Sequence, residues 1–295
     1  MPKTEIVLFQ LLIDGTLYGM MYGLAAIGLS LIFGTMKIVF VAQGTIMVFF
    51  AYLCYWLFNL AGLDPYVCLA LLIPLSFGMG VGLYLGVFKE SALQYDRIGS
   101  LLLAVGIMFF MENFMLVMWT PNPRSVVTKY AFHVLEVSGI KLTLVRAVSL
   151  LIGFLSIVAI NFFLRKTITG IAVRAASEDM ETTALMGIKP HKVNLTSFAV
   201  GISAAAVAGV NLAVTYSFDP MYGLDLSIKG LIALTLGGME TAYGAFFGGI
   251  LLGLIETVSA YFIGLGWAQG VCFGVYLLVL LIRPHGIFGK KGRIA

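Results

Sequence analysis

The chain has 295 residues, of which 60% are hydrophobic and 11% charged, with a mean hydropathy of +1.02, whereas soluble domains carry about 25% charged residues. A water-soluble globular protein is excluded. The net charge of +4 does not indicate nucleic acid, because the basic residues sit in short clusters beside apolar runs instead of along one face.

Apolar runs of about 20 residues recur along the chain, the length an α-helix needs to cross about 30 Å of hydrocarbon. The expected fold is therefore an all-α polytopic membrane bundle, a single transmembrane domain over residues 1–295 with eight to nine membrane helices. The first run, Ile6 to Gly34, carries Gly15, Gly19 and Gly23 on one helical face, a pattern that lets a second backbone come close. It is too long for a cleaved signal peptide and contains Asp14. The second run, Val39 to Leu60, begins near Gln43 and Gly44 and ends in Tyr52, Tyr55 and Trp56, aromatics suited to a membrane interface. A third span follows Pro65 to about Val87, with Gly78, Gly82 and Gly86 spaced four apart, and a charged break from Lys89 to Arg97 leads to a fourth, Ser100 to Trp119. This fourth span contains Glu112 and Asn113; a carboxylate there should face other helices, a wet cavity or the interface, not lipid.

Residues 121–143 are polar and mixed and read as an external solvent loop. The fifth span, Leu144 to Leu164, leads into Arg165 to Lys192, the largest interior stretch with charges of both signs and no membrane-length apolar run. The sixth span runs from Val193 to about Tyr216. Between Ser227 and Gly238 there are too few apolar residues to span fully, which predicts a short or re-entrant helix, tolerated at depth when buried in protein. Gly244, Gly248, Gly249 and Gly253 lie in the next span, which contains Glu256, and a last span, Trp267 to Ile282, ends in a basic tail with Lys290, Lys291 and Arg293. Cys54, Cys68 and Cys272 all lie in apolar segments, without CxxC spacing, and read as packing residues.

Basic clusters beside helix ends place both the 165–192 stretch and the tail on the cytoplasmic side. Five spans before this inner island put the N-terminus and the 121–143 loop outside. An inner tail then requires an even number of later crossings, so the short Ser227–Gly238 helix counts as a ninth crossing or is re-entrant with another run miscounted.

The island reads as two short surface helices joined at Ser177, which would cap the second, with Glu178, Asp179 and Glu181 favourable near its N-terminus and Gly187 as the left-handed residue that closes it before Pro190. A single bent helix is the alternative. Small residues at the centre flanked by Arg174, Glu178, Asp179 and Glu181 suit a knob that docks on another protein, and equally a solvated connector resting on headgroups.

Glu181, Thr182, Thr183 and Gly187 follow the E-A-A-x-x-x-G spacing of the cytoplasmic loop of bacterial ABC importer permeases, with threonines in place of alanines. The wider stretch from Gly170 to Lys189, the run Gly237-Gly238-Met239-Glu240-Thr241-Ala242-Tyr243-Gly244, the segment Gly253 to Glu256 and Arg283-Pro284-His285-Gly286-Ile287-Phe288-Gly289 resemble the branched-chain amino acid (Liv-type) permeases, the shorter of the two in that system. The chain departs from that family at Ala42-Gln43-Gly44, where an A-H-G-like triplet is common, at Phe50-Ala51-Tyr52 in place of G-A-Y, and at Glu240 in place of a small residue.

The resemblance implies a subunit of an inner-membrane ABC importer carrying branched-chain amino acids or related small polar amino acids and amides. It implies a second related permease, two cytoplasmic ATPases docked on the island through Arg174, Glu178, Asp179, Glu181 and Gly187, and a periplasmic substrate-binding protein. No cofactor is expected in this chain; ATP belongs to the partners, and no GxxxxGK[ST] motif occurs. Gln43, Asn211 and Glu256 are candidates to line the translocation pathway, each equally suited to bridging helices. An ion-coupled secondary carrier using Glu112 or Glu256 is the alternative. An enzyme is disfavoured, since His133, His191 and His285 lie outside the spans and neither a metal set nor an acid/base pair assembles.

Overall fold

The computed structural model describes residues 3–93, 96–137, 140–239 and 241–289. Glu240 and the tail residues Lys290, Lys291 and Arg293 lie outside them. Among the described residues, eight helices are long and apolar enough to cross a membrane.

The bundle is built around two of them. Helix α1 (Lys3–Met36) and helix α9 (Pro190–Thr215) have 83% and 78% of their apolar windows buried, against 11% for the last helix, α12 (Leu265–Ile282). Both are rich in small residues, and neither shows a marked apolar stripe, as expected of helices surrounded by protein on all sides. Around them stand α2 (Gln43–Ala61), α3 (Pro65–Leu83), α5 (Arg97–Trp119), α6 (Leu144–Lys166), α10 (Tyr222–Gly237) and α11 (Ala242–Ile263). Helix α3 begins with Pro65 at its first position, Asp64 accepting from the Tyr66 N–H at 3.0 Å, and continues through a π-helical turn, Tyr84–Phe88, into α4 (Lys89–Leu93). The charged break expected at Lys89 to Arg97 is thus partly helical.

The glycine stripe of α1 has the close partner its spacing predicts. A Cβ on Gly19 would lie 2.5 Å from the Ile250 Cα, and one on Gly15 would lie 2.9 Å from the Leu254 Cα. Gly249 and Gly253 of α11 return the contact against the backbone of Gly19 and Gly23, so the two stripes interlock. The matching stripe of α3 differs: Gly78, Gly82 and Gly86 meet only open space within this chain.

Two elements break the simple up-and-down pattern. The non-helical stretch 37–42 runs into the bundle, with Phe40 fully buried against Phe88 and Phe198 at ring-centroid distances of 5.6 and 5.0 Å. Helix α2 therefore starts inside: Gln43 bonds to Gly201, the twelfth residue of α9 and about 17 Å along it at 1.5 Å per residue. The second element is α10, whose 16 residues rise about 24 Å.

The short helix α10 resolves the parity question. Its C-terminal end meets the chain after α12, with Ile287 N–H donating to Leu236 O at 2.8 Å and Phe288 N–H to Gly237 O at 3.3 Å. The same end leads to Thr241 and Tyr243, which line a cavity with Arg174 and Ser177 of the island. Island, α10 C-terminus and the 283–289 stretch share one face. Counted with α10, nine helices among the described residues run between the two faces, and α1, whose Gly34 lies beside Ser177, begins on the opposite face.

On that opposite face the 121–143 loop is more ordered than a solvent loop. It contains an antiparallel hairpin, β1 (Val134–Val137) with β2 (Ile140–Thr143), and Arg124 exchanges backbone hydrogen bonds of 2.9 Å with Phe218. The Arg124 guanidinium sits 5.1 Å and 5.5 Å from the Tyr55 and Trp56 ring centroids. Tyr52 is not at an interface: it is fully buried, stacked on Trp119 at 4.7 Å. The three cysteines are buried.

Candidate functional site: an island and two buried polar clusters

The island consists of α7 (Ile168–Glu178) and α8 (Met180–Leu185). It is two helices, as expected, but the joint is not Ser177. The Ser177 hydroxyl donates back to Arg174 O at 2.8 Å, and Asp179, extended at φ −154°, caps α8 by accepting from Glu181 N–H and Thr182 N–H at 3.0 and 3.1 Å. A carboxylate accepts two orphan N–H groups at once and also suits the helix dipole, so Asp179 wins over a hydroxyl two residues earlier. Bonds from Thr182 hold the Asp179 carboxyl below its ordinary value of 3.8. A lowered carboxyl adds stability that is complete above its unfolded value and is lost as pH falls through the folded one, so the cap weakens only below about pH 4. Asp179→Ala should speed amide exchange across α8 several-fold at neutral pH and leave α9 unchanged; unaltered exchange in α8 would refute the cap.

Gly187 follows at φ +84°, the left-handed conformation that its sequence position suggests, and turns the chain into Pro190 at the first position of α9. The island is fixed to the bundle at three places. Only Thr167 separates α6 from α7; its hydroxyl donates to Phe163 O at 2.7 Å and accepts from Gly170 N–H at 3.0 Å. Val173 and Ala176 are buried, and a Cβ on Gly34 of α1 would lie 3.1 Å from that of Ser177. Arg174, Glu178, Asp179, Glu181 and Gly187 are all exposed.

The three candidate pathway residues do not converge. Gln43, fully buried at the start of α2, donates through Nε2 to Gly201 O at 3.0 Å, while Gly44 N–H donates to the Ser227 hydroxyl of α10 at 2.9 Å. Gln43 Oε1 and Thr45 Oγ1, both at this uncapped helix start, are buried without a hydrogen-bond partner among the described residues, as is Asn211 Oδ1 farther along α9. Buried polar atoms without partners are uncommon and call for an explanation, such as a ligand or water met at another stage of a cycle.

Glu256 belongs to a different cluster, and its partner is a residue that sequence reasoning passes over. Lys229 of α10 reaches Glu256 Oε1 of α11 at 2.8 Å and Asp225 Oδ2, one turn earlier, at 2.9 Å. It also donates to the Tyr22 hydroxyl of α1 at 3.3 Å, and Gln269 of α12 donates to Asp225 Oδ1 at 3.1 Å. Four helices meet on this one ammonium and its acids. Nearby, Arg146 of α6 pairs with Asp14 of α1 at 2.5 Å, and Tyr18 stacks on Tyr216 at 4.1 Å. Glu112 is on α5, half-buried and outside both clusters. No group of three or more metal-ligating side chains is present among the described residues.

These features define a class: a polytopic helical membrane bundle with a short helix packed at its centre and a two-helix element on one face. A family profile described as the branched-chain amino acid transport system permease component matches residues 11–281, and the chain belongs to that family. It is 28% identical to the high-affinity branched-chain amino acid transport system permease protein BraD of Pseudomonas aeruginosa, over 95% of each chain. It is also 28% identical to the corresponding permease protein LivH of Escherichia coli K12, over 98% of each chain. More distantly, it is 25% identical to the autoinducer 2 import system permease protein LsrC of Yersinia enterocolitica, over 73% of this chain and 60% of the relative. No solved structure matches.

Proposed function

We propose that the chain is the membrane subunit of an ATP-driven importer of branched-chain amino acids or of related small polar amino acids and amides. It would work with a second permease, two cytoplasmic ATPases and a periplasmic binding protein in a bacterial inner membrane. The observation that carries this reading is the island: an exposed, capped pair of helices joined to α6 by one residue and packed on α1, the helix that also grips α10 and α11. Force applied at Glu178, Asp179 and Glu181 would move α7 as a rigid body and pass through Val173, Ala176 and Ser177 into the bundle centre. Chemistry stays with the ATPases; this chain converts their closure into a change of access, with the island as its coupling loop.

The pathway in this reading runs past the start of α2, where Gln43 and Thr45 carry unpartnered polar atoms beside a helix N-terminus whose dipole favours a carboxylate. The relatives named for branched-chain amino acids support that substrate class, and the one named for autoinducer 2 shows that related permeases are named for other small solutes. A carrier coupled through Glu256 fits less well, because Lys229 already balances that carboxylate and ties it to α10.

The test is uptake of a panel of labelled amino acids into proteoliposomes holding the full assembly and the binding protein. Accumulation should require ATP hydrolysis and persist when ionophores collapse the ion gradients. Uptake that survives without ATP and disappears with the proton gradient would reverse the assignment in favour of the carrier.

A further inference from the structure

The island has a second wall, turned toward α9, that takes in Gly187 and Ile188. Between α7 and the first two turns of α9 lies a groove of about 700 Å³, within the size range of small-molecule pockets. Ile171, Ala172 and Ala175 line it from the island and Leu195 from α9, and Lys189 and Lys192 are its only charged lining residues. Both lysines are exposed, no carboxylate is in the lining, and among the described residues neither is paired with an acid.

The groove's place in the fold decides what fills it. Helix α6 ends at Lys166 and α9 starts at Pro190, so the groove opens beside the ends of two membrane-length helices. Its apolar wall continues into Ile168, which is 89% exposed, an arrangement unfavourable in water and suited to acyl chains. The α9 N-terminus between the lysines has no side-chain cap, which adds a positive dipole end to two ammonium groups. A protein segment would need partners for its backbone, and the only neutral polar side chains in the lining are the Thr169 and Thr196 hydroxyls.

We propose that this groove holds one anionic phospholipid, with an acyl chain along Ile171, Ala172, Ala175 and Leu195 and its phosphate between Lys189 and Lys192. The lipid occupies the angle between island and α9, so the island moves against a bound lipid and not against open solvent. Basic residues at a cytoplasmic leaflet each gain roughly fivefold in affinity for anionic lipid.

The experiment uses the full chain in vesicles containing photoactivatable phosphatidylglycerol or phosphatidylcholine, with crosslinks mapped by mass spectrometry and retained lipid counted after detergent extraction. Phosphatidylglycerol should crosslink to α7 and to residues 192–196 and be retained in preference to phosphatidylcholine. The double variant Lys189→Gln/Lys192→Gln should lower that retention about twenty-five-fold, from two fivefold steps. Ala175→Phe, which fills the groove, should remove it with the lysines intact. Equal retention of the two lipids, crosslinks confined to other helices, or displacement of the lipid when the ATPases bind would overturn the proposal, the last by giving the groove to a protein partner. The wild-type crosslink map decides the matter even if a variant fails to fold.

Discussion

Lys229→Met should destabilise the chain more than any other single change of similar size, by about 3 kcal/mol, because it strands charges in the bundle. The lysine side chain is 11% exposed and Glu256 18%, and both carboxylates it serves lie between helices. Removing the ammonium takes away the hydrogen bond to Glu256 Oε1, while Oε2 lacks a partner among the described residues, and it leaves the buried Tyr22 hydroxyl without its lysine donor. Asp225 suffers less, being 31% exposed and still bonded to Gln269. The expected result is a thermal midpoint lower by about 6–9 °C in detergent. The double variant Lys229→Met/Glu256→Gln removes both charges and should recover more than half of the loss, because a pair deleted together avoids the unpaired charge. A single variant within about 1 °C of the parent would show that the network holds little, and that α10 is secured by its glycine contacts alone.

That network also shows where sequence reasoning stops. The short helix α10 is legible from its length and from Gly237 and Gly238, but Lys229 looks like an interruption in an apolar run until α11 is folded beside it. The signal is present all the same: Asp225 and Lys229 are one turn apart, and Glu256 is an opposite charge in the next span. Charges in neighbouring apolar segments need each other, and that rule pairs these three on sequence grounds. The glycine stripe of α1 can be read because small-residue spacing reports close approach directly, although its partner on α11 cannot be chosen over α3, whose glycines have the same spacing and open space before them. Tyr52 is misplaced by sequence because an aromatic near a helix end looks the same at an interface and beneath a loop; the decision lies with Trp119 and Phe218, distant in sequence. In the island the two helices and Gly187 follow from local chemistry, and only the capping residue moves, from Ser177 to Asp179. Gln43 and Asn211 are buried, as their place in apolar runs suggests, but their unpartnered atoms depend on the packing of α2 and α9 and have no sequence signature.

The second large effect belongs to the island. Glu181→Lys reverses a charge in the first turn of α8, where the dipole favours an acid, and presents a partner with the wrong sign at the exposed tip. Gly187→Ile places a β-branched residue at φ +84°, a conformation it resists, and so re-aims the turn between α8 and α9 even though no atom lies within 4 Å of the new Cβ. Neither change touches a membrane-spanning contact, so insertion and pairing with a second permease should persist. Both should lower ATPase association at least about tenfold, a loss of roughly 1.4 kcal/mol. The measurement is recovery of the ATPase subunits with the tagged chain from solubilised membranes, scored beside recovery of the second permease. The account predicts that both variants retain the permease and lose the ATPases; full ATPase recovery in both, with normal substrate-stimulated uptake, would contradict it.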